Sequence, residues 1–325
     1  MSFKTDQESL RKWFQETKRD FPWRIQITPY KVWISEVMLQ QTRADVVVDY
    51  FNRWMELFPT VEDLEKAPLE KVLKAWEGLG YYSRARNIHQ AAKALCKTFP
   101  QDYLSLTSIK GIGPYTADAI LSFAFQKKVI AVDANVQRVL SRYYASNDLV
   151  DCKKRGEEEL SLLRPFEIAE ALIELGATVC KKKPNCEICP LAKGCLAKLR
   201  GDVHTFPFRK KRKKAQEIFR EVLLYEYQNL FGVRKRGEKE LFRDLYLFEE
   251  KTVTEKEFQI LCQKSPFKKV IATATFHRFH LIPNLKKLSL IKEDLEFFSL
   301  EECLKKAFSS GHKRILHQLV TFKET

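Results

Sequence analysis

Residues 109–139 read IKGIGPYTADAILSFAFQKKVIAVDANVQRV, a stretch in which a glycine turn joins two helical patterns. Gly111 and Gly113 allow positive φ and close backbone approach, and Pro114 is well suited to open the second helix. The backbone N–H groups of such a turn can bind an anion with help from the helix dipole. The stretch therefore predicts a helix-hairpin-helix whose turn holds a phosphate.

Asp133 lies further along the same stretch, after the apolar run 129–132 and before apolar residues at helical spacing. Its local pattern favours an N-cap. A capping carboxylate stays ionised, so the same side chain is also a candidate for catalysis. Asn135 adds a second polar group to the first turn of that helix.

The composition favours a globular protein with a polyanionic partner. The chain has 325 residues, enough for two domains, and a formal charge of +15 from 57 basic and 42 acidic residues. Nucleic acid is the commonest partner of such a protein, and an incidentally basic protein is the alternative. Neither a secretory leader nor a long uncharged apolar run is evident, so we expect a soluble, cytoplasmic protein.

A buried helix with one carboxyl is predicted over residues 28–42, which read TPYKVWISEVMLQQT. Pro29 suits its first turn, and the helix is apolar nearly all round, as buried helices are. Glu36 has no positive charge at the neighbouring helical positions, so burial should raise its pKa and make it a proton donor near neutrality. The alternative is a structural glutamate paired with a distant arginine.

Further helical patterns surround these two stretches. The first is expected to begin near Asp6, where Thr5 and Glu8 make a capping box, and to end before Pro22. The others are expected at 44–57, in a short stretch after Thr60, at 69–76, in a stretch ending near Thr98, and at 157–163 and 167–180.

Aromatic and cationic side chains alternate after two glycines in the stretch GLGYYSRAR, residues 78–86. Tyr81, Tyr82, Arg84 and Arg86 suit stacking on bases and contact with phosphates. Core tyrosines with solvated arginines are an equally good interpretation of this stretch.

Four cysteines, Cys180, Cys186, Cys189 and Cys195, have the spacing C-x5-C-x2-C-x5-C. Thiolates at this spacing hold a metal centre, either tetrahedral zinc or an iron–sulfur cluster. Only one CxxC is present, which favours iron–sulfur. We expect no disulfide framework, and the other four cysteines are interpreted as scattered buried thiols.

The basic run RKKRKK at 209–214 is interpreted as a linker. Beyond it, β-like runs at 222–227, 245–248 and 270–276 alternate with helical patterns at 254–263 and 300–308, which predicts an α+β domain. We therefore expect a region of residues 1–202, a linker of residues 203–216 and a second domain of residues 217–325.

The hairpin, Asp133 and the cysteine cluster together resemble the helix-hairpin-helix DNA glycosylases that carry an iron–sulfur cluster. Within that superfamily, residues 21–24 (FPWR), 28–42 and 75–87 (AWEGLGYYSRARN) resemble the adenine DNA glycosylases of the MutY type. The resemblance implies a mainly α region, made of a six-helix hairpin domain and an iron–sulfur helical domain. A smaller α+β, Nudix-like C-terminal domain is expected to follow.

The resemblance further implies a monomer that hydrolytically excises adenine mispaired with 8-oxoguanine or guanine from double-stranded DNA, in base excision repair. Glu36 then matches the general acid and Asp133 the carboxylate that stabilises the sugar cation, while Asn135 and Tyr115 help to order the site. The four cysteines match the ligands of a [4Fe–4S] cluster. The expected DNA-binding residues are Gln41 and Tyr81 as wedges in the duplex, Gly111 and Gly113 in the hairpin, and Arg24, Arg84, Arg86 and Phe276.

The chemistry of the residues agrees with this resemblance. Adenine must leave the duplex before it can be cut, and its anion is a poor leaving group that needs protonation. The sugar then gains oxocarbenium character, which a fixed carboxylate stabilises. Related enzymes that also cut the backbone have a lysine where this chain has Tyr115, and a tyrosine cannot form their Schiff base. The prediction is a monofunctional glycosylase.

Two departures from the family pattern are present. The first cysteine gap is one residue shorter than usual. The family's Phe-Ser-His loop for 8-oxoguanine is replaced by Thr275-Phe276-His277-Arg278-Phe279, which leaves open how strongly 8-oxoguanine is distinguished from guanine. The competing hypotheses are an endonuclease III-like glycosylase with lyase activity, a non-catalytic iron–sulfur protein that binds DNA, and a zinc protein.

Overall fold

A computed structural model describes residues 3–160, 164–208, 215–274 and 277–324. The chain divides into two compact units. The helical unit comprises Met1–Glu65 and Gln90–Lys210, and the mixed unit comprises Lys66–His89 and Lys211–Thr325. No helix in the described ranges is both long and apolar enough to cross a membrane.

Short and medium helices make up the N-terminal two thirds of the chain. A π-helical segment, Ile120–Ala124, continues the helix of the hairpin. The helices are α1 Phe3–Thr17, α2 Pro29–Leu39, α3 Ala44–Leu57, α4 Val61–Lys66, α5 Leu69–Ala75, α6 Ser83–Leu95, α7 Tyr103–Ser108, α8 Pro114–Ala119, α9 Ala134–Tyr143, α10 Leu149–Glu159, α11 Pro165–Thr178 and α12 Leu196–Arg200.

Helix α2 runs through the interior of the helical unit, as predicted. The Thr28 hydroxyl accepts a hydrogen bond from the backbone N–H of Lys31 at 3.2 Å and so caps the helix, and Pro29 occupies its first turn. Trp33 and Met38 are almost completely enclosed. A helix buried on all sides leaves any carboxyl on it without solvent, which is the setting of Glu36.

The start of α1 differs from the prediction. The helix begins at Phe3 and ends at Thr17, so the capping box of Thr5 and Glu8 near Asp6 was wrong. The physical reason is burial: the Phe3 ring is fully enclosed and packs edge-on against Tyr143, with ring centroids 5.4 Å apart. This contact makes the preceding turn helical as well.

Helices α10 and α11 also differ in their bounds. A helix expected over residues 157–163 instead begins at Leu149, where the Asp148 carboxylate accepts hydrogen bonds from two backbone N–H groups. It ends at Glu159, and residues 161–163 lie outside the described ranges. The pattern at 167–180 becomes α11, which opens with Pro165. The helix predicted at 44–57 is confirmed.

The mixed unit contains a mixed β-sheet flanked by helices, which confirms the predicted α+β class. The sheet order is β3-β2-β1-β6-β5; β1 and β6 run parallel, while β4 pairs with β1 and β7 with β2. The long helix at the end of the chain was not predicted. The elements are β1 Gln216–Tyr227, β2 Leu230–Lys235, β3 Tyr246–Leu247, β4 Glu249–Val253, α13 Glu255–Lys264, β5 Val270–Ala274, β6 His277–Lys287, β7 Glu296–Phe298, α14 Leu300–Lys305 and α15 Ser310–Glu324.

The grouping of Lys66–His89 with the C-terminal residues departs from the predicted boundary at residue 202. Hydrogen bonds account for it: Lys74 Nζ donates to the carbonyl of Leu304 at 2.7 Å, and the Tyr82 hydroxyl donates to the carbonyl of Phe308 at 2.9 Å. Residues 209–214 of the predicted linker lie outside the described ranges.

Candidate active site

One cavity of the helical unit, with a volume of about 630 Å³, brings together the four residues predicted to be catalytic. Glu36 comes from α2, Tyr115 from α8, and Asp133 and Asn135 from the start of α9. These positions are far apart in the sequence, so the cavity exists only because the three helices pack together. Their catalytic roles stay predictions.

Glu36 is 6% exposed, and its Oε2 accepts a hydrogen bond from the Tyr115 hydroxyl at 2.5 Å. Burial raises the pKa of Glu36 from the ordinary 4.5 to about 7, and the negative charges of Asp133 and Glu170 add to this effect. The Tyr115 hydrogen bond and the charge of Arg24 act in the opposite direction. The predicted raised pKa is therefore confirmed, and the carboxyl can carry a proton at neutral pH.

Asp133 is held as the N-cap of α9, as predicted. Its Oδ1 accepts hydrogen bonds from the backbone N–H groups of Asn135 at 2.8 Å and Val136 at 2.7 Å. Its Oδ2 accepts a third bond, from Asn135 Nδ2 at 2.8 Å. Three donors and the positive end of the helix dipole stabilise a negative charge at this position. The cavity thus has one buried carboxyl suited to hold a proton and one carboxylate fixed by three hydrogen-bond donors at a helix N-terminus.

Arg138 supports this arrangement and was missed in the sequence. Its Nη2 donates to Asn135 Oδ1 at 2.9 Å and to the carbonyl of Gly176 at 2.7 Å, and its Nε donates to the carbonyl of Cys180 at 2.6 Å. Because the amide oxygen of Asn135 faces a cation, its amide nitrogen is left to face Asp133. An arginine three residues after a polar first-turn residue was the available signal.

Arg24 lines the cavity but is paired within the protein. Its Nη2 lies 3.0 Å from Glu174 Oε2, and its Nε lies 3.5 Å from Glu170 Oε1. Arg19 Nε also donates to Glu174, at 2.5 Å. Its charge is engaged by two carboxylates of α11, which were also missed, and it forms part of the cavity wall. The predicted DNA contact of Arg24 stays a prediction.

The glycine hairpin has the predicted form with one difference. Gly111 has a φ of 99°, which favours glycine, whereas Gly113 has a φ of −85° and is the N-cap of α8. No side chain caps this end of α8, and a Cβ at Gly113 would meet no atom within 4 Å. The space beside these N–H groups is open, in keeping with the predicted phosphate contact, which stays a prediction.

The predicted wedge residue Gln41 lines the cavity and has a left-handed backbone, with a φ of 63°. Tyr81 belongs to the mixed unit; its φ is 48° and its side chain is half exposed. Both residues are therefore presented by tight turns. Phe276 lies outside the described residues.

Arg84 and Arg86 do not lie free at the surface as expected. Arg84 is 8% exposed, its Nη2 donates to the carbonyls of Leu79 at 3.0 Å and Gly80 at 3.2 Å, and burial lowers its pKa to about 10. Arg86 Nη1 donates to the carbonyl of Arg243 at 2.9 Å. The two guanidinium groups hold the backbone of the mixed unit, and their predicted phosphate contacts stay predictions.

The four cysteines of the cluster are brought together, and all eight cysteines are free thiols. Cys180, Cys186, Cys189 and Cys195 line a cavity of about 20 Å³ with Arg142, whose Nη1 donates to Cys180 Sγ at 3.3 Å. Burial raises the pKa of Cys189 to about 12, and the other three cysteines add to this rise. Within the described ranges, these four thiols included, no group of three or more His, Cys, Asp or Glu side chains is placed to hold a single metal ion, so a centre held by these sulfurs would be a cluster and not one ion.

This donor set fits a resident positive centre. Four thiolates beside one another repel, so they ionise together only when a cation or a cluster is among them. The guanidinium of Arg142 is a hydrogen-bond donor to one sulfur, a feature that tunes iron–sulfur clusters in proteins.

The helical unit is similar to known DNA repair proteins. The model of the HhH-GPD superfamily base excision DNA repair proteins matches residues 34–165, which include Glu36 on the buried helix, the hairpin and Asp133. A solved structure of a thermostable thymine-DNA glycosylase superposes with a TM-score of 0.57 at 25% identity, covering 61% of this chain and 96% of that one. The fold and the cavity define a base excision DNA repair protein of the helix-hairpin-helix superfamily.

Two relatives, one matched over most of its length and one over a part, narrow the class. The adenine DNA glycosylase of Buchnera aphidicola subsp. Acyrthosiphon pisum (strain APS) is 30% identical over 334 aligned residues, covering 94% of this chain and 90% of that protein. The human adenine DNA glycosylase is 39% identical over 213 residues, covering 59% of this chain and 39% of that protein. The chain belongs to the adenine DNA glycosylase family. The predicted fold class and enzyme class, a hydrolase of base excision repair, are confirmed.

Proposed function

We propose that this protein is a monofunctional glycosylase that hydrolyses the N-glycosidic bond of adenine paired with 8-oxoguanine or guanine in double-stranded DNA. The observation that carries the proposal is the contrast between two carboxyls in one cavity. Glu36 is buried with a pKa raised to about 7, and Asp133 accepts three hydrogen bonds at a helix N-terminus. Glycoside cleavage needs this division between an acid and a charged stabiliser.

In the first step the adenine leaves the stack and enters the cavity. Its volume of about 630 Å³ lies in the range of sites that enclose a small molecule. Protonated Glu36 gives its proton to a ring nitrogen of adenine, and the bonding electrons of the glycosidic bond go to the departing base. The Tyr115 hydroxyl, bonded to Glu36 Oε2, keeps the carboxyl in a single orientation.

In the second step the deoxyribose carries positive charge at its anomeric carbon. Asp133 stabilises this charge, and Asn135 and Arg138 keep its carboxylate from turning away. Water then adds to the anomeric carbon and releases a proton. Five residues thus act on one bond: two on the reacting atoms, one by holding Glu36, and two by holding Asp133.

The lining of the catalytic cavity, as far as the structure describes it, supports a monofunctional reaction. Tyr115 stands where a Schiff base would need lysine, and the described residues that line the cavity include no lysine. Borohydride reduction during turnover is therefore expected to leave no covalent adduct with DNA. Efficient trapping of such an adduct would contradict the proposal and favour an endonuclease III-like lyase.

The mixed unit is proposed to read the base opposite the adenine. The support is the resemblance of residues 217–325 to the family's C-terminal domain, together with a cluster of polar side chains at the paired starts of β1 and β6. Arg278 Nη1 and His280 Nε2 both contact Glu217, at 3.0 and 2.6 Å. We further propose a monomer acting with the chromosome in the cytoplasm.

We propose that Cys180, Cys186, Cys189 and Cys195 hold a [4Fe–4S] cluster, supported by their convergence on one cavity beside Arg142. The cluster would supply positive charge and fold the loop that carries Lys181. Metal analysis and visible absorbance of the purified protein test this: iron with the absorbance of a cluster is expected, and stoichiometric zinc without it would contradict the proposal.

The deciding experiment is a single-turnover excision assay on three duplexes. These hold adenine opposite 8-oxoguanine, adenine opposite guanine, and thymine glycol. We expect excision from the first two and none from the third. Glu36→Gln should abolish excision while DNA binding is kept, because the hairpin is untouched. Activity on thymine glycol alone, or a Glu36→Gln variant as active as the parent, would overturn the proposed function.

A further inference from the structure

The loop that presents Tyr81 is held in an unusual backbone conformation. Gly78, Gly80 and Tyr81 have φ values of 111°, 70° and 48°, a region that side chains other than glycine avoid. Trp76 Nε1 and Arg84 Nη2 donate to the carbonyl of Gly80 from the protein side, at 3.0 and 3.2 Å. The loop is thereby fixed from within, while the tyrosine side chain stays 50% exposed.

Both sides of this loop are bonded to the backbone of one distant residue, Phe308. The Phe308 N–H donates to Glu77 Oε1 at 3.0 Å, and the Phe308 carbonyl accepts from the Tyr82 hydroxyl at 2.9 Å. Glu77 Oε2 also accepts from Lys313 Nζ at 2.6 Å. We call the bonds of Glu77 and Tyr82 to Phe308 the Phe308 clamp.

The clamp rests on the core of the mixed unit. Phe308 is fully buried, and its ring stacks on Phe248 with centroids 5.5 Å apart. The neighbouring carbonyl of Ala307 accepts from the backbone N–H of Tyr246 at 2.9 Å. Since Tyr246 and Phe248 belong to the sheet core, the Tyr81 loop is built on the C-terminal part of the chain.

We propose that Glu77 and Tyr82 are positioning residues which, through the Phe308 clamp, fix Tyr81 for insertion into the DNA stack when the adenine is extruded. This inference rests on the proposed function and on the wedge role of Tyr81. An aromatic ring contributes to prising a base pair apart only if its loop does not yield, so rigidity of the loop lowers the cost of extrusion. The C-terminal residues then serve base extrusion as well as recognition of the opposite base.

The test compares Tyr82→Phe and Glu77→Met, each of which removes the group bonded to Phe308, with the parent protein in the full chain. Each is assayed in single turnover on adenine opposite 8-oxoguanine and on a duplex whose target adenine is an unpaired bulge. Loss of one buried hydrogen bond should slow excision of the paired adenine by about tenfold. The bulged adenine needs no wedge, so its excision should stay within about twofold of the parent rate.

A double variant shows whether the effect passes through Tyr81. Tyr81→Ala alone should slow the paired substrate, and adding Tyr82→Phe should slow it no further, because the residue being positioned is gone. Fluorescence of 2-aminopurine beside the target should report slower extrusion in each variant. Tyr225→Phe, which removes a hydroxyl elsewhere in the same unit, is the matched control and should behave as the parent.

Three results would overturn the inference: normal excision of the paired adenine by both clamp variants, equal loss on paired and bulged adenine, or an additive double variant. If Tyr82→Phe unfolds, as judged by circular dichroism, Glu77→Met carries the same comparison. A parent protein that excises no adenine refutes the proposed function itself. An active parent with unimpaired clamp variants refutes only the clamp.

Discussion

Replacing Glu36 by glutamine should stop base excision and at the same time stabilise the helical unit at alkaline pH. The side chain is buried, and its pKa is raised by burial to about 7 from the ordinary 4.5. Glutamine keeps the size of the side chain and the oxygen that accepts from Tyr115. It removes the proton donor, which should lower the excision rate by about 10²–10⁴-fold.

The stability gain follows from proton linkage. A carboxyl that binds its proton more tightly in the folded state than in the unfolded state costs no stability below the unfolded pKa. It costs progressively more as the pH rises towards the folded pKa. The difference between the two values corresponds to about 3 kcal/mol at pH 8 and less than about 1 kcal/mol at pH 5. Since glutamine does not ionise, Glu36→Gln should recover that amount.

Thermal unfolding from pH 5 to pH 8, beside single-turnover excision, measures both effects. At pH 8 the variant should melt higher by on the order of 6–12 °C, for a unit of about this size, and at pH 5 the two midpoints should nearly coincide. The control is Glu16→Gln, an exposed glutamate of α1, for which no such pH-dependent gain is expected. A variant no more stable at pH 8 than the parent would refute the buried-acid argument, whatever its activity.

Three further predictions concern the same cavity. In the parent protein the excision rate at limiting enzyme should fall by about tenfold per pH unit above about pH 7, as Glu36 loses its proton; a flat profile to pH 9 would exclude it as the acid. Tyr115→Phe removes a hydrogen bond that lowers the pKa of Glu36, so the falling limb of this profile should move to higher pH. Arg138→Gln should lower excision with stability falling by about 1–3 kcal/mol, measured by urea unfolding, because the carbonyls of Gly176 and Cys180 lose their donor; restoration by Arg138→Lys would contradict the geometry.

The chemistry of Glu36 and Asp133 could be predicted from sequence because each depends on neighbours along its own helix. Residues 29–39 form a helix that is apolar on every side, which predicts that a carboxyl on it is buried away from water. Likewise, an aspartate directly before an amphipathic helix predicts an N-cap. Asp133 does accept hydrogen bonds from two backbone N–H groups of the first turn. The hydrogen bonds of Asp133 lie within one helical turn, and the burial of Glu36, although other helices provide it, is visible in the apolar pattern of its own helix.

The arginines were harder to interpret because their partners are distant. Arg24 contacts Glu174, 150 positions away, and Arg138 contacts Cys180, 42 positions away. A basic side chain in a protein of this family suggests a contact with a DNA phosphate. The guanidinium groups of Arg24 and Arg138 are instead bonded to carboxylates and carbonyls inside the fold. Burial of a guanidinium requires such partners, and only the packed structure supplies them.

The clamp at Phe308 shows why a boundary drawn from composition can separate residues that work together. Tyr82 and Phe308 are 226 positions apart, and the composition does change between them, at the basic run after residue 208. Yet the bond between them fixes a loop on the N-terminal side of that change. A protein cut near residue 202 would therefore lose the support of Tyr81 together with the sheet. A loss of activity in such a truncated chain could not be assigned to opposite-base recognition alone, and the bulged-adenine duplex separates the two causes.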